Sequence, residues 1–329
     1  MKSLFNTKVC KILGIKYPVM QAGMGYLARG RLAAAVSNVG GLGVIGTGHL
    51  TLDELREEIR LAKSLTDKPF GVDILFGKII ADHSSQQVAR YSHEVEKQIE
   101  ITLEERVPVL ISGLGNPLGV IKEAHQLGMV VMSVVGNVKQ AVQLEKDGVD
   151  IIIAQGHEAG GHTGSVGTMV LVPQVVDAVK IPVVAAGGIA DGRGLIASLS
   201  LGAGGVWMGT RFIASHEAHA HDNYKQKIVS INEEGTVISR GHSGKPVRMI
   251  KNNFTDYWKK RENEIHPYPL QLIEVGKEAS KRARIDGDVE NGVAPAGQIS
   301  GMIKGVKSAG QIVEDIIQEA EEVLSRFQA

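Results

Sequence analysis

An apolar run followed directly by a glycine-rich loop lies near the middle of the chain, Val149-Asp150-Ile151-Ile152-Ile153-Ala154-Gln155-Gly156-His157-Glu158-Ala159-Gly160-Gly161-His162-Thr163-Gly164. Short continuous apolar runs rich in β-branched residues are typical of strands that are buried on both faces. Glycines let a backbone approach a ligand closely, and a histidine beside them can exchange a proton near neutral pH. The stretch therefore predicts a buried strand that ends in a binding site with an acid or base at its edge.

The same strand pattern recurs along the chain, and segments with helical periodicity separate most of the runs. The predicted strands are residues 17–21, 42–46, 70–75, 107–112, 130–135, 150–154, 182–186 and 205–208. The predicted helices are residues 31–39, 52–64, 117–127, 138–147, 173–179 and 194–201. Eight strands that alternate with helices predict an α/β protein with a parallel (β/α)8 barrel. A doubly wound open sheet is the alternative, although no GxGxxG sequence opens its first helix.

Two stretches interrupt this alternation. Residues 77–105 are longer than a usual connection between a strand and a helix, and their second part has a helical pattern. Residues 213–291 turn to helices and polar loops, which predicts a smaller, mainly helical domain over the mouth of the barrel. We therefore expect a barrel in residues 1–212, this covering domain, and a C-terminal segment, residues 292–329, whose amphipathic helix at 309–327 returns to the barrel.

Composition narrows the class of protein. The 36 basic and 36 acidic side chains balance, which argues against a nucleic-acid partner. The single cysteine, Cys10, excludes an intrachain disulfide and favours a reducing compartment. Neither a signal-peptide pattern nor an apolar run of membrane-spanning length is evident. The expectation is a cytoplasmic enzyme that binds neither membranes nor nucleic acid.

Unusual residues follow the predicted strands at their carboxyl ends, where barrels of this kind carry their active sites. They fall in 20–25, Asp73, 155–164, 185–192 and 208–212. Because these segments follow different strands, they are expected to meet on one face of the barrel.

The loops after the last two predicted strands point to a phosphate group. Gly187-Gly188 and Gly209-Thr210 lie where barrel loops bind phosphate through backbone N–H groups. A tight turn alone would also explain Gly187-Gly188, but the presence of both loops favours a phosphate site.

His162 is the candidate acid–base residue, because a histidine in a glycine-rich loop has few apolar neighbours that could bury it. His157 either supports the site from behind or is merely exposed. Glu158 is either a second base or a partner in a local ion pair.

Other polar clusters give weaker signals. His216, His219 and His221 lack the accompanying ligands of a zinc site, and a solvated helix start explains them better, so no metal site is predicted. The basic residues of 244–251 either meet an anionic substrate or face solvent. Cys10 precedes the first strand, and no nucleophile triad accompanies it.

With these motifs the sequence resembles the nitronate monooxygenase family, formerly called 2-nitropropane dioxygenases. It is also closely similar to the FMN-dependent enoyl-acyl-carrier-protein reductases of type II. The resemblance spans nearly the whole chain and rests on residues 18–24, 155–164, 185–192, 209–212 and 296–301. It implies FMN in a TIM barrel, a second domain over the cofactor, and His162 as the catalytic residue.

The resemblance also implies which residues contact the cofactor. Transferred by motif position, they are the backbone of Met20, Gln21 and Ala22, together with Asp73, Gln155, Gly160, Gly161, Gly187, Gly188, Trp207, Met208, Gly209 and Thr210. One position departs from the family, which usually has Asn where Asp73 follows Phe70-Gly71-Val72. An amide can donate to a flavin carbonyl and an ionised carboxylate cannot. Asp73 is therefore expected to be protonated, to accept from a flavin N–H, or to turn away.

The implied activity is oxidation of alkyl nitronates or nitroalkanes with O2, with His162 as the base. The alternatives are an enoyl-acyl-carrier-protein reductase using NADH or NADPH, or an NADH:quinone reductase, each with the same FMN site. An alternative of another class is a barrel that binds a phosphorylated metabolite without flavin. The expected partners are small molecules, a nitronate or enoyl thioester and O2; whether the chain forms a homodimer stays open.

Overall fold

The computed structural model describes residues 5–77 and 91–326. Its strands are β1 (Val19–Gln21), β2 (Gly43–Gly46), β3 (Phe70–Phe76), β4 (Val109–Gly115), β5 (Val130–Val135), β6 (Ile151–Gln155), β7 (Gly161–His162), β8 (Val183–Ala186), β9 (Val206–Met208), β10 (Thr236–Ser239) and β11 (Val247–Ile250). Eight of them pair in parallel in the order β1-β9-β8-β6-β5-β4-β3-β2. A parallel bridge between Met20 and Leu42 joins β1 to β2. This pairing closes the ring, so the TIM barrel is confirmed and the open-sheet alternative is wrong.

Alternating strand residues fill the interior of the barrel. Met20, Ile111, Ile153 and Trp207 belong to one buried cluster there. The helix α1 (Lys8–Leu13) adds Val9, Cys10 and Leu13 to the same cluster. The hydroxyl of Thr7 donates to the carbonyl of Gly204, just before β9. The amino end of the barrel is therefore plugged by α1, and the opposite end is left for a site.

The remaining helices surround the barrel or follow it. They are α2 (Gly30–Asn38), α3 (Leu52–Leu65), α4 (His93–Glu104), α5 (Ile121–Gln126), α6 (Val138–Asp147), α7 (Thr168–Ala178), α8 (Gly192–Ser200), α9 (Thr210–Ile213), α10 (Asp222–Ser230), α11 (Asn253–Lys259), α12 (Lys277–Arg284) and α13 (Ala309–Arg326), with 3-10 turns at Glu262–Glu264 and Gln298–Met302 and a π-helical turn at Leu272–Gly276. None of the helices in the described ranges is long and apolar enough to cross a bilayer.

Helix bounds differ from prediction where a distant contact sets the first turn. The helix predicted at 173–179 begins at Thr168, because the backbone N–H of Thr168 donates to the carboxylate of Glu158. A side chain from another segment thus supplies the cap that the local sequence lacks. The helix predicted within 77–105 is α4, whereas residues 78–90 lie outside the described residues.

The C-terminal helix α13 packs against α8 and α2 on the outside of the barrel. Ile312 and Ile316 belong to the cluster between the strands and the helical ring. At Gly192 a Cβ would lie in contact with the backbone of Ala320, so only glycine permits this approach. The helix thus occupies the place that a helix directly after β9 would take. Position 327, the end of the helix predicted from the sequence, lies outside the described residues.

A small antiparallel sheet ties the segment after the barrel to the glycine-rich loop. Strand β11 pairs with β10 on one side and with β7 on the other. Across β7 and β11, His162 lies opposite Val247 and Gly161 lies opposite Arg248. The segment 213–291 contains α10, α11, α12 and the β10–β11 hairpin, and the hairpin was not predicted from the sequence.

Candidate active site

A cavity of about 250 Å³ opens at the carboxyl ends of the barrel strands. Most of the residues singled out in the sequence line it. They are Ala22, Asp73, Gln155, Gly160, Gly161, His162, Gly187, Gly188, Trp207, Met208, Gly209 and Thr210. Met20 and Gln21 do not line it: the Met20 side chain packs inside the barrel, and the Gln21 side chain bonds to the backbone of Val44. The structure therefore brings the predicted site together, apart from these two side chains.

Glycines allow the loops after β6 and β8 to present backbone, rather than side chains, to part of the cavity. Gly187 and Gly188 have φ angles of 85° and 73°, in the left-handed region that favours glycine. A Cβ on Gly187 would lie 3.0 Å from the carbonyl oxygen of Gly156, in the loop after β6. A Cβ on Gly160 would lie 2.7 Å from the backbone of Ala296. The cavity wall is thus a backbone surface of the kind that cradles a phosphate.

Glu158 fixes the relative position of these loops. Its two carboxylate oxygens accept the Thr168 backbone N–H at 3.1 and 3.0 Å. The Thr168 hydroxyl lies 2.9 Å from this carboxylate and 2.9 Å from the carbonyl oxygen of Gly187. A carboxylate at the start of a helix is stabilised by the helix dipole. Glu158 is therefore held in a local structural contact, which disfavours the hypothesis that it acts as a base.

His157 and Arg248 support the same loop from behind. The Nδ1 atom of His157 lies 3.0 Å from the carbonyl oxygen of Gly164. Arg248 is buried, and its Nε–H donates to the carbonyl oxygen of His157 at 3.0 Å. Neither side chain lines the cavity. Of the basic residues in 244–251, Arg248 is thus used inside the fold.

His162 is held from both sides. The Gln155 side-chain amide donates to the His162 carbonyl oxygen at 2.7 Å, and the ring Nε2 atom lies 2.9 Å from the Ser243 hydroxyl. Burial, together with the positive charges of Lys245 and Arg284, lowers the pKa of His162 to about 4. The ring is therefore neutral at neutral pH, and its affinity for a proton is lower than that of an exposed histidine.

The carboxyl group of Asp73 lies between Gly23 and Gly113, where a Cβ on either glycine would collide with it. Its Oδ1 atom is buried and has no hydrogen-bond partner among the described residues. Burial raises the pKa of Asp73 to about 7, although the backbone N–H of Gly113 acts in the opposite direction. Of the three expectations for Asp73, burial favours the protonated carboxyl, which can donate a hydrogen bond into the cavity.

Several residues of the cavity wall were missed in the sequence, among them His49, Tyr224, His242 and Arg284. His49 stacks on Tyr26 with ring centroids 4.2 Å apart, and burial lowers its pKa to about 4. The other three come from the segment after the barrel. Nothing in their local pattern indicates that they reach back to the strand ends.

The three histidines before α10 have separate contacts, and the backbone N–H of His216 donates to the carbonyl oxygen of Lys307 at 3.0 Å. His221 is the N-cap residue of α10, and its ring accepts the Asn223 backbone N–H at 3.1 Å. His219 Nδ1 lies 3.1 Å from the Tyr26 carbonyl oxygen. Within residues 5–77 and 91–326, no group of three or more His, Cys, Asp or Glu side chains has the arrangement of a metal site.

Known proteins are similar to this chain over nearly its whole length. The family model for nitronate monooxygenase matches residues 6–319. A probable nitronate monooxygenase from Staphylococcus saprophyticus is 36% identical, over 98% of this chain and 99% of the relative. The structure of FabK from Thermotoga maritima superposes with a TM-score of 0.88 at 39% identity, covering 98% of both chains. That of nitroalkane oxidase from Streptomyces ansochromogenes has a TM-score of 0.85 at 28% identity, covering 97% of this chain and 99% of the other.

The chain therefore belongs to the nitronate monooxygenase family. It is an enzyme, a flavin-dependent oxidoreductase built on a TIM barrel. The hypothesis of a barrel that binds a phosphorylated metabolite without flavin is not supported.

Proposed function

We propose that this enzyme binds FMN in the cavity and oxidises alkyl nitronates with O2. The observation that carries the proposal is the meeting of His162, Asp73 and the glycine loops after β6 and β8 in one cavity of a nitronate monooxygenase family member.

The cavity has features that fit FMN. The backbone N–H groups near Gly187, Gly188 and Gly209 would hold the phosphate, with the hydroxyl of Thr210 beside them. The unpartnered Oδ1 atom of Asp73 would face a polar edge of the ring system, and a protonated carboxyl can donate there as the usual amide does. When bound, the flavin would accept two electrons from the substrate and pass them to O2.

The protonation state of His162 bears on the form of the substrate. A neutral nitroalkane must lose a proton from the carbon next to the nitro group, and a base is most effective when its pKa is near the working pH. With its pKa lowered to about 4, His162 accepts that proton less readily than an exposed histidine would. A nitronate is already deprotonated and needs no base. We therefore propose the nitronate as the principal substrate, with His162 as the base when the neutral nitroalkane is used.

The segment 213–291 is proposed as the substrate cover. It contributes Tyr224, His242, Val247 and Arg284 to the cavity wall, where Val247 pairs with His162 of the glycine-rich loop. Together with the barrel it would exclude water from the reacting atoms.

A second candidate is a reductase that takes electrons from NADH or NADPH, with an enoyl thioester or a quinone as acceptor. The chain is 39% identical to FabK and 28% identical to the nitroalkane oxidase, and the higher identity to FabK favours this candidate. In that reaction a donor such as the N–H of His162 would polarise the carbonyl of the thioester.

The experiment measures oxygen uptake with propane-2-nitronate and with neutral 2-nitropropane, after the released cofactor has been identified by chromatography. FMN and rapid uptake with the nitronate are expected. For His162→Asn, kcat/KM on neutral 2-nitropropane should fall by about 10²- to 10⁴-fold, the usual contribution of a general base, and fall much less on the nitronate. The control is His93→Asn, because His93 is an exposed residue at the start of α4 and does not line the cavity. A colourless protein that FMN cannot reconstitute would contradict the proposal, and so would a lack of nitronate-dependent uptake.

A further inference from the structure

The last residue of α12, Arg284, is a buried cation in the cavity wall. Its side chain is 7% exposed. Its Nη1–H donates to the carbonyl oxygen of Gly25 at 3.3 Å and its Nε–H to that of Val293 at 3.4 Å, while Nη2 makes no hydrogen bond in the described ranges. No carboxylate among residues 5–77 and 91–326 forms an ion pair with it. A buried charge is costly unless an opposite charge or strong hydrogen bonds compensate it.

The neighbours of Arg284 offer it the face of the Tyr26 ring, whose centroid lies 5.8 Å from the guanidinium carbon, but no negative charge in the described part of the chain. Burial and the charge of Arg284 itself lower the pKa values of His49, His162 and His242, so these rings are neutral at neutral pH. The hydroxyl of Tyr224 donates to the carbonyl oxygen of Pro295 and stays protonated, because burial raises its pKa. Arg284 is therefore a fixed positive charge without a carboxylate partner among the described residues, since Glu158, which also lines the cavity, is held by Thr168.

A second polar group in the same wall lacks a partner. The Nδ1 atom of His242 is buried without a hydrogen bond among the described residues, and the side chain is 6% exposed. The Nε2 atom of this ring lies 3.1 Å from the hydroxyl of Ser280. Ser280 and Arg284 are four residues apart on α12 and share one face of the helix. The Nδ1 atom of His242 and the Nη2 atom of Arg284 are thus both available to a ligand in the cavity.

We propose that Arg284 and His242 form a binding site for a planar anion with two oxygens, of the nitronate or carboxylate type. The fork of a guanidinium matches two oxygens of such a group, and a neutral histidine with its hydrogen on Nδ1 adds a third donor. The inference rests on the proposed function only in taking this cavity as the substrate cavity. It assigns the recognition of negative charge to the covering segment, on the side of the cavity where the ring of His242 lies 5.9 Å from that of His162.

The test uses isobutyrate, which resembles propane-2-nitronate in shape and charge, and isobutyramide, its neutral counterpart. Both are titrated into the purified holoenzyme by calorimetry. We expect isobutyrate to bind and the amide to bind at least about 10-fold more weakly, as for loss of a charge-assisted hydrogen bond. Arg284→Gln should weaken the binding of isobutyrate by about 10- to 100-fold. Arg282→Gln, an exposed position on the same helix, should leave its affinity unchanged.

Isobutyramide binding as tightly as isobutyrate to the unmodified enzyme would overturn the inference, and this arm needs no variant. Unchanged isobutyrate affinity in a folded Arg284→Gln enzyme would overturn it as well. If the Arg284→Gln enzyme has a raised KM for propane-2-nitronate and an unchanged kcat, the site holds the nitronate group itself. A loss of isobutyrate binding with an unchanged nitronate KM would assign the site to a carboxylate. If Arg284-dependent isobutyrate binding persists in an enzyme that does not oxidise nitronates, the anion site stands and the proposed function fails.

Discussion

Asp73 illustrates how the surroundings of one residue determine its chemistry. The sequence singled it out because a carboxyl stands where an amide is usual, but it left three outcomes open. Only the packed structure shows the carboxyl enclosed by Gly23 and Gly113, with one oxygen unpartnered. Burial disfavours the ionised carboxylate and raises the pKa of Asp73 to about 7, so the side chain keeps its proton below that pH.

Replacement of Asp73 by Asn should change how stability depends on pH. The pKa of this carboxyl is about 7 in the folded protein and 3.8 as the reference value, so the folded state binds the extra proton between these pH values. Its contribution to stability is therefore present below about pH 4 and is lost as pH rises through 7. We expect Asp73→Asn to gain stability relative to the unmodified protein between pH 4.5 and 8, by up to about 4 kcal/mol.

Denaturant unfolding of the flavin-free proteins at several pH values measures this difference. Asp67→Asn is the matched control, since the Asp67 side chain is 84% exposed. A stability difference between Asp73→Asn and the unmodified protein that does not vary with pH would show that Asp73 is ionised in the fold.

At the level of secondary-structure elements, the beginning of α7 holds the site together. Thr168 links the loop after β6, through Glu158, to the loop after β8, through the Gly187 carbonyl. The sequence placed the start of this helix too late, at 173, because its cap comes from another segment. Local patterns predict helices well where the cap is local, as at Thr51, whose side chain and Glu54 form a capping box for α3.

Replacing Thr168 by Val should loosen both loops. We expect the free energy of unfolding to fall by about 1–3 kcal/mol, because the one hydroxyl hydrogen that the Glu158 carboxylate and the Gly187 carbonyl share is lost. Binding of FMN to the apoprotein, followed by quenching of flavin fluorescence, should weaken by about 10-fold.

The control for Thr168→Val is Thr51→Ala, which removes the cap of α3 away from the cavity. It should lower stability by about 0.5–2 kcal/mol and leave FMN affinity unchanged. Equal loss of FMN affinity in both variants would mean that general destabilisation, rather than loop position, explains the effect.

At the scale of the whole molecule, the barrel was predictable, whereas the contacts that the covering segment makes with the site were not. Eight apolar runs with helices between them favour a closed parallel barrel, and the absence of a GxGxxG sequence weakened the open-sheet alternative. The contact between His162 and Ser243 joins residues 81 apart in sequence, and that between Gly25 and Arg284 joins residues 259 apart. No local pattern encodes such contacts, which explains why Ser243 and Arg284 were missed.

The helix α13 should stabilise the barrel without acting on the site. Ile316 is buried between α13 and the outer face of the barrel. Ile316→Ala should lower the free energy of unfolding by about 2–5 kcal/mol, through lost apolar contact and the cavity left behind. Gln318→Ala, at an exposed position of the same helix, should change it by less than about 0.5 kcal/mol. Thermal and denaturant unfolding measure both, and an Ile316→Ala protein as stable as Gln318→Ala would contradict the role given to α13.

The most direct test of the proposed activity is anaerobic reduction of the bound flavin, followed at its visible absorbance in a stopped-flow instrument. Propane-2-nitronate, NADH and NADPH are mixed separately with the oxidised holoenzyme. A nitronate-oxidising enzyme should lose the flavin band rapidly with propane-2-nitronate and far more slowly with either nucleotide. Rapid bleaching by NADH or NADPH, with little reaction of the nitronate, would contradict the proposal and identify a reductase.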